Sequence, residues 1–175
     1  MRRLDTRSIL VALGAWSLAL GLALGLPAGP ALADGSQVAM VHVEKGARRL
    51  SLVDGEGRVM RAWTGLQLGP APLGPKHFAG DGRTPEGRYV IDHGNPASAY
   101  WLSLHISYPD AADRAYAAAR GQSPGGAIFL HGQPNYLQNG RISGDWTAGC
   151  IALSNEEIEE LWALVPDGTP IQIDP

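Results

Sequence analysis

The sequence predicts a β-rich α+β domain with a few short helices, and three features of the chain support this fold class. Short apolar runs alternate with clusters of turn-forming residues, which is the pattern of a sheet built from short strands. Glycine and proline are frequent, with 23 and 13 copies, so many turns are expected without the composition of a disordered chain. An amphipathic segment near the C-terminus and a shorter alanine-rich segment supply the helices.

Residues 1–33 are predicted to be a signal peptide. Three arginines lie among the first seven residues, and residues 9–26 form an apolar stretch of 18 residues. Ala31-Leu32-Ala33 then matches the small-x-small cleavage pattern. An uncleaved membrane anchor is the alternative, because this length is the lower limit for a span. Both interpretations predict export, to the periplasm or cell envelope, of a domain covering residues 34–175, with no stable membrane span after cleavage.

Charge and cysteine content narrow the possible functions. The formal net charge is −3 and the chain has no basic run, so nucleic acid is excluded as a partner. Cys150 is the single cysteine, and it therefore cannot form an internal disulfide. A free thiol outside the cytosol is either buried and inert or used for its reactivity.

Four strands are predicted in the first half of the exported part. Residues 38–43, 50–53 and 58–63 are apolar runs divided by short turns, which predicts a meander. Residues 88–92 form the next strand. The intervening residues 65–87 are rich in glycine and proline and are predicted to form a long surface loop.

The second half combines strands with two helices. A strand is predicted at residues 100–107, and a short helix at residues 110–120. Ser154 and Glu157 form a capping box, which predicts a helix with one apolar face. That face is made by Ile158, Leu161, Trp162 and Val165. A last strand is predicted at residues 169–173.

Several polar residues outside the candidate motif are interpreted as structural rather than catalytic. His105 lies among apolar residues and is interpreted as a packed core histidine, and Asp145 as a turn residue. Lys76 and Arg83 are interpreted as solvated loop charges, with contact to an acidic ligand as the alternative. No metal site is predicted, because the five histidines are scattered and no zinc-binding spacing is present.

The stretch from residue 127 to residue 153 carries the candidate chemistry. An apolar run at residues 127–130 ends at His131, and Cys150 follows nineteen residues later. A histidine and a thiol that the fold brings together can act as a base and its nucleophile. The alternative is that Cys150 is a small buried hydrophobe, since free cysteines often lie in the core.

The residues around this pair resemble the YkuD-type L,D-transpeptidases. The family signature is an HG dipeptide followed about fifteen to twenty residues later by (S/T)-x-G-C-(I/V/L). Here the dipeptide is His131-Gly132 and the second part is TAGCI at residues 147–151. The segments GDGRTPEG at 80–87 and SLHISYP at 103–109 extend the resemblance, which is strongest to the YafK-like branch and covers residues 34–175.

The resemblance implies a mixed-sheet YkuD-like fold and a set of site residues, without a cofactor or metal. Cys150 would be the nucleophile and His131 its base, with the Gly132 carbonyl fixing the imidazole tautomer. The backbone N–H groups of Gly149 and Cys150 would form the oxyanion hole. The implied substrate-binding residues are Arg83, Trp146 and Thr147.

Two positions depart from the family pattern. Most members have histidine where this chain has Ala148, and arginine where it has Ala152. The first difference leaves His131 as the single base within local reach. The second removes the usual cation near the substrate carboxylate, a charge that Arg83, Lys76 or Arg141 would have to replace.

The expected function is acyl transfer on peptidoglycan stem peptides through a Cys150 thioester, with roles in wall organisation and cell shape. An amine acceptor would complete transpeptidation. The first alternative is a hydrolase, either an L,D-carboxypeptidase or an amidase that releases a wall-linked lipoprotein, as in some YafK-like proteins. The second is a wall-binding module without catalysis.

Overall fold

The computed structural model describes residues 37–175, and the predicted signal peptide lies outside them. Within this part, eight strands form one mixed sheet that is accompanied by two helices. The strands are β1 (Met40–Glu44), β2 (Arg49–Val53), β3 (Val59–Thr64), β4 (Gly87–Asn95), β5 (Ser103–Ile106), β6 (Ile128–His131), β7 (Ile151–Ala152) and β8 (Thr169–Asp174). The helices are α1 (Ala111–Ala118) and α2 (Asn155–Leu164).

The order of strands in the sheet is β3-β2-β1-β8-β4-β5-β6-β7. The predicted meander is confirmed, because β1, β2 and β3 pair in antiparallel sequence. The last strand, β8, inserts between β1 and β4 and runs parallel to β1. The other parallel pair is β6 with β7, at the far edge of the sheet. The remaining neighbours are antiparallel, so the sheet is mixed.

The core forms from alternate strand residues. In β1, Val41 and Val43 are fully buried while their neighbours are partly exposed, as the two-residue period of a strand requires. Leu130 of β6 and Ile158 of α2 belong to the same hydrophobic cluster. Burying a side chain of this size contributes about 1.5–3 kcal/mol, so these positions tie α2 to the sheet.

Both predicted helices are present, and both begin at a capping box. Ser154 accepts a hydrogen bond from the Glu157 N–H, and the Glu157 carboxylate accepts one from the Ser154 N–H. Asp110 and Asp113 make the same exchange at the start of α1. Among residues 37–175, no helix has the length and apolar character needed to cross a bilayer.

The strand predicted at residues 100–107 is shorter in the structure. It begins at Ser103, because Trp101 adopts φ +65°, which is incompatible with an extended strand. Two hydrogen bonds hold the segment before this strand. The Trp101 N–H donates to the Asn135 side-chain oxygen at 2.7 Å, and the Gly132 N–H donates to the Tyr100 carbonyl at 3.1 Å.

The segment at residues 65–87 is a loop, as predicted, but it is not simply a surface loop. Leu66 and Leu68 are buried in the core, and Gln67 pairs with Ala152 of β7. The interpretation of Lys76 as a solvated charge is wrong. Its side chain is buried, and its ammonium donates to the Asp81 carboxylate at 2.9 Å and to the Phe78 carbonyl at 2.9 Å.

Asp81 organises the second half of this loop. Its carboxylate accepts hydrogen bonds from the Lys76 ammonium and from the backbone N–H groups of His77, Phe78 and Arg83. Burial raises the pKa of Asp81, but these hydrogen bonds outweigh it and lower the pKa to about 2. Because the folded-state pKa is depressed, the ionised carboxylate stabilises the fold above about pH 4, and this contribution is lost as the pH falls through about 2.

We expect Asp81→Asn to lower the free energy of unfolding by about 2 kcal/mol near neutral pH, because the charge-assisted hydrogen bonds are weakened. Urea denaturation at several pH values measures the effect, and the difference from the parent should shrink toward about pH 2. Asp167→Asn is the matched control, since Asp167 is exposed and should change stability by less than about 0.5 kcal/mol. Equal losses in the two variants would contradict the role of Asp81.

Candidate active site

The pairing of β6 with β7 brings His131 and Cys150 to the same face of the sheet. Leu130 lies opposite Ile151, and His131 lies opposite Ala152. Leu130 and Ile151 are fully buried on the core face. Since successive side chains of a strand point to opposite faces, His131 and Cys150 both point to the other face. Strand pairing thus closes the gap of nineteen residues between them.

The loop between these residues is held by buried amide groups. Gln133 is fully buried and donates from its side-chain nitrogen to the Leu153 carbonyl at 2.6 Å and to the Gln67 side-chain oxygen at 3.1 Å. Its own oxygen accepts from the Ile142 N–H at 3.0 Å. One side chain therefore connects the start of the loop to its far half and to the residue after β7.

An ion pair fixes the end of the loop. The Arg48 guanidinium donates two hydrogen bonds to the Asp145 carboxylate, at 2.7 and 2.6 Å, and the Leu68 N–H donates a third at 2.9 Å. Burial raises the pKa of Asp145, but the bonds from Arg48 and Leu68 hold it below its ordinary value. The interpretation of Asp145 as a turn residue only is therefore wrong, because it anchors the loop to the β1–β2 turn.

His131 is held in one tautomer. Its Nδ1 lies 2.7 Å from the Gly132 carbonyl oxygen. A carbonyl only accepts hydrogen bonds, so Nδ1 carries the proton and the neutral ring has its lone pair on Nε2. Burial lowers the pKa of His131, and the bond to Gly132 offsets only part of this effect. The imidazole is therefore a neutral base at neutral pH.

Gly132 has no room for a side chain. A Cβ at this position would lie 2.8 Å from both the Asn155 side-chain oxygen and the Trp101 Cβ. The Asn155 oxygen instead accepts from the Gln133 N–H at 2.9 Å. Close packing of the Gly132 backbone thus fixes the carbonyl that holds the His131 ring.

The Cys150 thiol is partly buried and lies beside the residues that precede β6. It contacts the Ala127 carbonyl oxygen at 3.5 Å, and Ala127 itself adopts φ +54°. Burial raises the pKa of Cys150, while the Phe129 N–H and the charge of Lys76 act in the opposite direction. The resting site therefore holds a neutral thiol and a neutral imidazole rather than a thiolate–imidazolium pair.

The turn before Cys150 is closed by Thr147. Its hydroxyl donates to the Cys150 carbonyl at 2.7 Å and accepts from the Gly149 N–H at 3.2 Å. The Gly149 N–H predicted for the oxyanion hole is therefore already hydrogen-bonded in this structure. The N–H groups of Ala148 and Cys150 make no hydrogen bond to any residue in the described part of the chain, so the Cys150 N–H is available to an oxyanion.

Gly149 is required by the packing of this turn against the loop that contains Asp81. It adopts φ +124°, and a Cβ there would lie 2.4 Å from the Arg83 carbonyl oxygen. The Arg83 backbone carbonyl thus occupies the space that a side chain at Gly149 would need. Arg83 supports the site through that carbonyl, while its guanidinium lies next to Gly74.

His131 and Cys150 line one cavity of about 420 Å³. Aromatic rings form its wall around the imidazole: the centroid of Tyr100 lies 4.8 Å from that of His131, and the centroid of Trp146 lies 5.5 Å from it. The other lining residues include Ser103, Ala127, Phe129, Thr147 and Ala148. The cavity is mostly apolar, which suits binding of a substrate with few charges at the reacting bond.

The structure places the predicted site residues in two groups. Trp146 and Thr147 line the cavity with His131 and Cys150, although the Thr147 hydroxyl is committed to the turn. Arg83 is not among the lining residues. Lys76 and Arg141 do not line the cavity either, and Arg141 pairs with Glu157. None of the three cations proposed to replace the missing arginine reaches the cavity.

Sequence reasoning missed Tyr100 and Ala127 as parts of this site. No motif marks either residue, because both lie in irregular segments whose backbone has positive φ at Trp101 and at Ala127 itself. Phe129 could have been predicted as a site residue, because a strand that ends at His131 places residue 129 on the same face as His131.

The fold and the site define a β-rich domain with a candidate cysteine–histidine centre. A profile of the YkuD L,D-transpeptidase catalytic domain matches residues 39–173. The chain belongs to this family, and the β-rich α+β fold predicted from the sequence is confirmed.

Three relatives show how far the similarity extends. One relative is YafK of Escherichia coli (strain K12), which is named as a candidate L,D-transpeptidase. It is 34% identical over 97 residues, and the match covers 53% of this chain and 32% of YafK. YkuD of Bacillus licheniformis, named in the same way, is 31% identical over 98 residues, or 53% of this chain and 46% of that protein. These matches agree with the predicted YafK-like resemblance.

A solved structure with the same fold is that of the helical cell shape determining protein Pgp2 from Campylobacter jejuni. It has a TM-score of 0.63 and 27% identity, and the match covers 78% of this chain and 47% of Pgp2. The matched regions thus span a third to about half of the length of these three relatives.

We expect Gly149→Ala to destabilise the domain by about 3 kcal/mol or more, because a left-handed backbone and a clash with the Arg83 carbonyl add together. Gly144→Ala is the matched control. Gly144 also has positive φ, at +72°, but nothing lies within 4 Å of its added Cβ, so only about 1 kcal/mol of backbone strain is expected. Denaturant unfolding of both variants measures the difference, and equal losses would show that the contact with Arg83 is unimportant.

We expect the rate of Cys150 alkylation by iodoacetamide to rise with pH and to reach half its maximum above the pH found for an ordinary cysteine, because burial raises the pKa of this thiol. The signal reports one site, since the chain has a single cysteine. A free peptide of residues 147–153 serves as the reference. A high, constant rate through neutral pH would instead indicate a resting thiolate–imidazolium pair.

Proposed function

We propose that this chain is an exported L,D-transpeptidase that acts on peptidoglycan stem peptides through a thioester at Cys150. The observation that carries the proposal is the 2.7 Å bond from His131 Nδ1 to the Gly132 carbonyl. It leaves Nε2 as a base in the cavity that the single cysteine also lines. Membership of the YkuD family supports the same reaction class.

In the first half of the reaction, the Cys150 sulfur attacks the carbonyl carbon of a stem-peptide amide. His131 Nε2 accepts the thiol proton as the C–S bond forms. The proton then passes to the nitrogen of the leaving amine, the C–N bond breaks, and the acyl group remains on sulfur as a thioester. A neutral thiol and a neutral imidazole suit this order of steps, because proton transfer and attack occur together once the substrate is bound.

The Cys150 N–H stabilises the oxyanion that forms during this attack. Like the Ala148 N–H, it has no partner in the described residues, and it belongs to the nucleophile itself. The bonds of Thr147 hold the TAGC turn in place. One such donor is worth about 2.7–4 kcal/mol in known acyl-transfer enzymes. The Thr147 hydroxyl thus acts as a positioning group rather than as a substrate contact.

In the second half, an acceptor amine attacks the thioester carbonyl and gives a proton to His131. The C–S bond breaks, a new amide forms, and the thiol is restored by the same proton. Water in place of the amine would give hydrolysis. The amine belongs to another stem peptide or to a wall-linked protein, and export through the segment at residues 1–33 would deliver the enzyme to the cell wall.

The similarity to Pgp2, described as a cell shape determining protein, extends the proposal to cell shape. An enzyme that changes stem-peptide crosslinks alters the mechanical properties of the wall. We infer that loss of this chain changes the shape of the cells that produce it.

Two variants test the reaction. We expect Cys150→Ala to abolish turnover of purified muropeptides, because no thioester can form. His131→Gln should lower kcat by about 10²–10⁴-fold, the usual contribution of a general base. Mass spectrometry of the products, with and without an added amine acceptor, distinguishes transpeptidation from hydrolysis.

His42→Gln is the control for His131→Gln, because His42 pairs with Asp174 on β8, away from the cavity. It should retain the parent activity, and the unfolding temperature should confirm that the other two variants fold. Unchanged turnover in Cys150→Ala would sink the proposed mechanism. Binding to sacculi without any product would instead support a wall-binding module without catalysis.

A further inference from the structure

Three potential metal ligands converge on the same sheet face as the candidate active site. The Asp92 Oδ1 atom lies 2.9 Å from His93 Nδ1 and 2.7 Å from His105 Nδ1. One donor atom from each residue lies within 4.8 Å of the others. The interpretation of His105 as a packed core histidine is wrong, because its side chain is only partly buried and is hydrogen-bonded to this carboxylate.

A β-bulge in β4 creates the cluster. Ile91 pairs with Ile106 and His93 pairs with His105, so Asp92 is an extra residue on β4 without its own partner on β5. A bulge of this kind redirects side chains that would otherwise alternate between faces. Asp92 and His93 therefore both reach His105, although they are adjacent in sequence.

The rings of the two histidines are already aligned. Their centroids are 4.6 Å apart and their planes differ by 26°. Phe129 supports both rings from the side, with its centroid 4.9 Å from His105 and 6.5 Å from His93. Two imidazoles held side by side toward one carboxylate oxygen lose little freedom when a ligand joins them.

We propose that Asp92, His93 and His105 form a binding site for a divalent transition-metal ion of the Zn²⁺ type. Two imidazole nitrogens and one carboxylate oxygen are a donor set that suits such ions. With bonds of about 2.0–2.2 Å, a tetrahedral ion places its donors about 3.3–3.6 Å apart. The two separations from the Asp92 oxygen, 2.7 and 2.9 Å, need to open by about 0.4–0.9 Å, and the three donor atoms already lie within 4.8 Å of one another.

The carboxylate of Asp92 is in the form that binds a metal ion. Burial raises the pKa of Asp92, but the hydrogen bonds and charges of His105 and His93 outweigh it and lower the pKa below its ordinary value. The carboxylate is thus ionised at neutral pH. Binding through Nδ1 requires each imidazole to carry its remaining proton on Nε2.

The site is open to solvent and separate from the cysteine. Asp92 and His93 are exposed, so an ion can enter, and water completes its coordination. Phe129 lies between the cluster and the cavity, because its ring contacts both histidines and also lines the cavity. A metal ion bound here would lie on the same face of the sheet as Cys150, and the thiol would not be one of its ligands.

Calorimetric titration of the full-length chain with ZnCl₂ tests the proposal. The titration uses the Cys150→Ser background, so that the thiol cannot contribute a ligand. We expect one saturable site per chain, and a weakening of about tenfold or more in Asp92→Asn, His93→Gln and His105→Gln. Co²⁺ substitution gives a second readout, because nitrogen-coordinated Co²⁺ has visible absorption bands that these variants should lose.

His42→Gln is the matched control, since His42 also bonds to a carboxylate, at 2.7 Å from Asp174, but has no second histidine beside it. Zinc affinity should not change in this variant. His93 is the most exposed of the three ligands, so His93→Gln should fold even if a substitution at His105 does not. Absence of saturable binding, or binding that survives in His93→Gln and Asp92→Asn, would overturn the assignment.

Discussion

The parallel pairing of β6 with β7 is the constraint on which the candidate site depends. Leu130 and Ile151 are buried side by side in the core, and their burial fixes the register of both strands. A slip by one residue would turn His131 or Cys150 into the core and a large apolar side chain into the cavity. The hydrophobic effect on one face of the sheet therefore sets the chemistry on the other.

The loop between the strands returns to the sheet because its polar groups find partners inside the protein. Buried backbone and side-chain groups must be hydrogen-bonded, and Gln133 and Asp145 meet this requirement by reaching Gln67, Leu68 and Arg48. The site is thus supported by the first third of the domain. The same desolvation keeps the His131 imidazole and the Cys150 thiol neutral at rest.

Local patterns predicted the elements that depend on neighbours in sequence. The alternation of β1 and the capping box of α2 were visible in the chain, and both are present. The interpretations of Lys76, His105 and Asp145 were wrong for one common reason. Each side chain takes its role from burial or from a partner that the fold supplies, such as Arg48 for Asp145. Such partners are distant in sequence, so a pattern of adjacent residues cannot predict them.

The sequence by itself determined the β-rich class, the family resemblance and the candidate pair His131 and Cys150, because strand periodicity and a short motif are local properties. Only the tertiary structure decided that Gly149 packs on the Arg83 carbonyl, that Arg83 itself does not line the cavity, and that Asp92 meets His105. Those contacts arise from sheet order, a bulge and close backbone packing, which bring together residues that are distant in the chain.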